Sequence, residues 1–142
     1  MPLARSVLYA QGEDLHVAVW PGGIHNTRDI TRFIALESRS YVMSVSGLMR
    51  REDIGTHSAW REQVTAASAE VLASGGSCVA GPNGEWLVPP AEPIEKLIVA
   101  TIDYRHVLEE RQNFDPSGHY ARPDVTRLHV NRERQSVVNL DS

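Results

Sequence analysis

Two short strands separated by one helix constrain this chain more than any other feature. Residues 15–20, Leu-His-Val-Ala-Val-Trp, form a compact strand, which Pro21-Gly22-Gly23 ends because proline cannot donate to a ladder and glycine interrupts the pattern. Asn26 or Thr27 can then cap a helix to about Arg39, in which Ile30, Phe33, Ile34 and Glu37 recur three to four residues apart. Residues 41–45, Tyr-Val-Met-Ser-Val, are β-branched and aromatic enough for a second strand. Strand, helix and strand in that order predict a βαβ crossover with parallel strands. Apolar residues at 3, 7, 8 and 10 predict a further helix ahead of the first strand, stopped at Gly12.

The rest of the chain fills out a mixed α/β fold. Residues 50–55 read as a charged loop, and residues 58–73, rich in Ala, Glu and Gln, have moderate helical character. Residues 75–80 and 85–88 flank Gly81-Pro82-Asn83-Gly84, whose Asn-Gly pair signals a hairpin. Residues 96–103 give the clearest strand pattern of all, residues 104–112 a short helix, and residues 125–130 an edge strand. With 142 residues and 42% hydrophobic content, one globular domain with a real core is expected.

Composition excludes several functions. No apolar stretch is long enough to span a membrane, and the N-terminus lacks the basic and apolar regions of a secretory signal. The net charge of −4 argues against nucleic acid, and the basic stretch at residues 127–134 contains Glu133 and no stacking aromatic. The lone cysteine rules out an internal disulfide and suits a reducing cytoplasm. Six scattered histidines show no helical zinc spacing and there is no Cys-x-x-Cys, so no metal is expected. No phosphate-binding glycine motif points to a nucleotide cofactor.

Cys78 invites a nucleophile reading, but it falls in a strand with no neighbour that would activate its thiol. Gly75 and Ser77 nearly match a nucleophile elbow, except that Val79 stands where a glycine is needed. Lys96, the single lysine, opens a strand and is expected to be exposed. Trp20 and Pro21, at a strand's carboxyl end, are well placed to wall a cleft.

Several segments together carry a resemblance. Met1-Pro2-Leu3-Ala4-Arg5, the strand ending in Val19-Trp20-Pro21-Gly22, Ala35-Leu36-Glu37-Ser38-Arg39, the Gly75-Gly76-Ser77 hairpin and His119-Tyr120-Ala121-Arg122-Pro123-Asp124 occur in this order. The chain resembles the C-terminal half of the nitrilase branch of the carbon–nitrogen hydrolases. That resemblance implies an αββα sandwich that dimerises into four layers. It also implies hydrolysis of nitriles to carboxylate and ammonia through a cysteine thioimidate. The family's nucleophile segment, Cys-Trp-Glu-Asn, would lie a few residues before Met1, with its glutamate and lysine further upstream. No catalytic residue carries over, and an inactive fragment of the enzyme is expected.

Trp20 and Pro21 would help shape the substrate pocket. Glu37 and Arg39 would hold the helix to the sheet, and His119, Tyr120 and Arg122 would serve a subunit contact in an extended tail, residues 113–142. Two alternatives stand beside the fragment: one half of a split enzyme completed by a separate N-terminal chain, or a non-catalytic interaction module. Either way the chain should self-associate or seek its missing half, with a small nitrile as the parent's substrate.

Overall fold

Proline at the first helical position costs a helix nothing, since that N–H is unpaired anyway, and Pro2 opens α1, Pro2–Ala10. The computed structural model describes residues 1–66, 70–133 and 136–138. After α1, Gly12 takes a left-handed φ of 77° and the chain enters β1, Leu15–Trp20. Next come α2, Ile24–Ser38, and β2, Tyr41–Ser46. The crossover is as the periodicity predicts. β1 and β2 pair in parallel, from Leu15 opposite Tyr41 to Trp20 opposite Ser46.

The start of α2 differs from expectation. Its cap is Gly23, at φ 97° and without a side-chain cap bond, so Asn26 and Thr27 lie inside the first turns. Asn26 donates its amide to the Gly22 carbonyl at 2.6 Å. Thr27 is fully buried and donates to the Gly76 carbonyl at 2.8 Å. Both polar groups are satisfied by loop carbonyls beside the helix, so a cap role is not needed.

Two antiparallel strands extend the sheet: β5, Cys78–Ala80, and β6, Trp86–Val88. The order β1-β2-β5-β6 gives a mixed four-stranded sheet. The hairpin closes as its Asn-Gly pair predicts: the Gly81 N–H donates to the Glu85 carbonyl at 2.8 Å, and the Gly84 N–H to the Gly81 carbonyl at 2.8 Å. Gly84 sits at φ 76°, with the Leu36 side chain filling the space a Cβ would need, so only glycine fits this turn. Between β2 and β5 the chain builds β3, Leu48–Arg50, paired antiparallel with β4, Val71–Ser74. A short helix α3, Arg61–Ala66, precedes β4. The broad helical reading of residues 58–73 thus shrinks to six residues and a strand, and residues 67–69 lie outside the described ones.

The core lies between α2 and one sheet face. Ile34, Ala35, Val42 and Ala80 pack there, with Ile30 and Trp86 at its edge. The opposite face is covered at one end only. There α4, Tyr104–Asn113, buries Val107 completely, and the Tyr41 hydroxyl donates to the Asp103 carbonyl at 3.2 Å.

Two expected strands are absent. Residues 96–103 are irregular and pair with no described strand; Leu97 and Val99 are 89% and 78% exposed. Strand propensity reports fit to a pleated, half-buried surface, and no described neighbour supplies that surface here. Residues 125–130 are also irregular and exposed. The backbone turns at their start, where Val125 and Thr126 both donate to the Arg122 carbonyl, and they pair with no described strand.

Candidate functional site

The carboxyl ends of β1 and β2 converge on the Pro21-Gly22-Gly23 turn. This turn is tightly enclosed: a Cβ on Gly22 would collide with Ala73 of β4 and lie 2.9 Å from the Gly47 carbonyl. Backbone from two sheets therefore meets at one point, which glycine alone permits. Trp20, half-buried, ends β1 at this point, and Pro21 stands exposed beside it.

Strand alternation places Trp20 on the α2 side of the sheet, with Ser44 and Ser46 of β2. Its indole Nε1 donates to Ser44 Oγ at 3.2 Å. Ser44 Oγ lies 2.6 Å from Thr31 Oγ1 of α2, and Thr31 Oγ1 donates to the Thr27 carbonyl at 2.5 Å. A hydroxyl has one proton to give. Thr31 gives its proton to Thr27, so Ser44 must donate to Thr31, and its lone pair is left for the indole. The bonds run in one direction, from Trp20 through Ser44 and Thr31 to the helix backbone.

Cys78 joins the same cluster. Its Sγ donates to Thr31 Oγ1 at 3.5 Å, and the residue is 2% exposed. Burial pushes its thiol pKa up, against smaller lowering by hydrogen bonds to Thr31, Thr27 and Ser44. A protonated, enclosed thiol is a poor nucleophile, and here it serves as a core donor. Lys96 is exposed, as the sequence implies.

Glu37 and Arg39 are brought to helix–helix contacts and not to the sheet. Glu37 Oε2 accepts from Arg5 Nη2 at 2.9 Å and from the Tyr9 hydroxyl at 2.7 Å, joining α2 to α1. Burial, and then the bond to Glu37, raises the Tyr9 pKa. Arg39 takes a left-handed φ of 51°, pairs with Glu110 of α4 at 2.9 Å and stacks over Phe114. The reason is positional: both residues fall in the last turn and cap of α2, beyond the edge of the core, where the partners in reach are helices.

His119, Tyr120 and Arg122 are exposed. The His119 and Tyr120 rings lie 4.8 Å apart and Tyr120 stacks on Phe114 at 4.9 Å, while Arg122 pairs with Asp124 at 2.7 Å. His119 and Tyr120 are thus brought together, while Arg122 is held by Asp124. Among the described residues no group of three His, Cys, Asp or Glu could hold a metal ion, and no helix is long and apolar enough to cross a membrane.

Sequence reasoning missed Ser44 and Thr31. The signal was present: Thr27 and Thr31 lie one helical turn apart on the face of α2 that carries the core residue Ile34, and Ser44 and Ser46 follow Val42 on the buried side of β2. Hydroxyls at positions where the pattern calls for apolar side chains announce a buried polar network.

No protein-family profile matches the chain. Nitrilase 2 of Arabidopsis thaliana is 33% identical over 100% of this chain and 43% of its own length. An aliphatic nitrilase of Sinorhizobium fredii is 32% identical over 97% of this chain and 44% of its own. The chain is nitrilase-like from end to end. It spans less than half the length of these curated relatives and aligns with their C-terminal part. A carbon–nitrogen hydrolase from Helicobacter pylori G27 matches in structure, with a TM-score of 0.62 and 19% identity, covering 87% of this chain and 43% of that one. The mixed sheet and crossover of this nitrilase-like chain therefore belong to the carbon–nitrogen hydrolase fold.

Proposed function

We propose that this chain acts as the C-terminal part of a nitrile-hydrolysing enzyme, forming a pocket wall with Trp20 and Pro21 while the nucleophile, acid–base and lysine groups come from a preceding part. The single observation that carries this is the full-length similarity to nitrilases that are themselves more than twice as long. The geometry agrees with it. Cys78 is enclosed with a raised pKa, and a thioimidate needs a thiolate that substrate can reach. The sheet face away from α2 exposes Val17 by 55%, Val19 by 80% and Val45 by 45%. An apolar face of this kind is a surface for another layer.

Alone, the chain self-associates through that face; with a nitrilase N-terminal part it assembles into a complete sandwich. His119, Tyr120 and Arg122 sit on the outer surface, where a subunit contact can use them. A single free, buried thiol suits a reducing cytoplasm.

Co-expression tests the reading. The chain is produced with and without the N-terminal part of a related nitrilase ending in Cys-Trp-Glu-Asn, and ammonia release is measured on aliphatic and aromatic nitriles. Activity only in the pair is the expected result. Activity of the chain alone, abolished by Cys78→Ala, would overturn it. A stable monomer that ignores the N-terminal part would favour a non-catalytic interaction module instead.

A further inference from the structure

Trp20 has two anchors with different characters. Its backbone belongs to β1, paired with β2 through Ser46. Its indole reaches diagonally back to Ser44, over the position of Ala18, which is paired with Ser44 and has only a methyl side chain. A half-buried indole N–H needs an acceptor, and two serines of β2, Ser44 and Ser46, share its side of the sheet. Ser44 is taken, whereas Ser46 Oγ is buried with no hydrogen-bond partner.

The difference lies behind the serines. Ser44 is held by Thr31 at 2.6 Å, and Thr31 by the Thr27 carbonyl. Its proton is committed to the helix, which turns its acceptor side to Trp20. Donor–acceptor chains of one direction strengthen each member.

Resting on the pocket reading above, we propose that Ser44 is a positioning residue that fixes the indole of Trp20, with Thr31 passing the geometry of α2 to the pocket wall. The helix thereby sets the orientation of a residue on a different element. Removing the Ser44 hydroxyl frees the indole to rotate about its side-chain bonds without changing what it is made of.

The test uses the full chain labelled with ¹⁵N-tryptophan. Its indole N–H signals come from Trp20, Trp60 and Trp86, and Trp20→Phe assigns the first. In Ser44→Ala the Trp20 indole proton should move upfield and exchange about tenfold faster, while Trp60 and Trp86 stay in place. Ser44→Thr should restore the native signal, and Ser46→Ala, two residues along the same strand, should leave it untouched. An unchanged Trp20 signal in Ser44→Ala overturns the proposal, as does an equal response to Ser46→Ala.

If Ser44→Ala does not fold, the temperature coefficient of the native Trp20 indole proton decides. A small value supports the bond and a solvent-like value overturns it. In the active co-expressed pair, Ser44→Ala should raise KM severalfold with little change in kcat, and Ser44→Thr should recover it. The spectroscopic arm does not depend on activity, so a pair that never releases ammonia defeats the pocket reading while the Trp20–Ser44 bond is still judged separately.

Discussion

On its α2 side the four-stranded sheet buries Val42 and Ala80 completely and pairs the hydroxyls of Ser44 and Thr31. On its other side, residues of the neighbouring strand β1 stand in solvent: Val19 is 80% exposed and Val17 55%. The backbone ladder is common to both faces, so hydrogen bonding cannot explain the contrast. What differs is the layer above. Fifteen residues of α2 cover one face, whereas α4 reaches only the Tyr41 end of the other, and Lys96, Leu97, Ile98 and Ala100 make an open groove with Met43, Val45 and Val79. A sheet is a two-sided object, and these described residues complete one side.

The largest effect should come from the open face. Val17→Asp with Val19→Asp puts two charges where association would bury them, and should shift the chain to monomer by light scattering. Stability in urea should move by less than about 0.5 kcal/mol per site, as for other exposed positions. Persistence of the associated species would show that another surface is used.

Next in size is the closed face. Val42→Ala removes two carbons from a site with no exposure and should cost about 2–3 kcal/mol, transfer and cavity together. A loss as small as at Val19 would erase the distinction between the faces.

The smallest effect concerns the boundary between them. Asp103 caps α4 by accepting from the Arg105 N–H at 3.0 Å. The Arg105 side-chain and backbone bonds hold its carboxyl down to about 2, from an ordinary 3.8. A carboxylate with a depressed folded pKa contributes stability that is fully present above its unfolded value and is lost as pH falls through the folded one. Acid titration by circular dichroism should therefore show a native-only decline between about pH 4 and 2 that Asp103→Asn flattens. An identical profile in that variant would remove Asp103 from the account.

The crossover was legible because it rests on local signals: the apolar spacing of α2, the Pro21-Gly22-Gly23 stop and the Asn83-Gly84 turn each act within a few residues. Residues 96–103 were misread for the complementary reason. Leu97, Ile98 and Val99 have the composition of a strand, but a strand exists through its neighbour, and composition says nothing of whether one is present. Trp20 and Pro21 could be placed at a strand end from sequence. The direction of the indole could not, because it depends on Ser44 and Thr31, which are thirteen residues apart in sequence and in contact in space.

The ties made by α4 carry a kinetic consequence. Arg39 meets Glu110 across 71 positions, and Arg111 meets Asp14 across 97, while α2 and the two parallel strands it joins are neighbours in sequence. Closing a loop grows dearer with its length, by roughly 0.6 kcal/mol for each doubling. Contacts of high sequence separation slow folding for that reason. The crossover is therefore expected to assemble as the polypeptide leaves the ribosome, with α4 docking last. In the finished molecule the order reverses: α4 is the first element to peel away, and its amides should exchange ahead of those in α2.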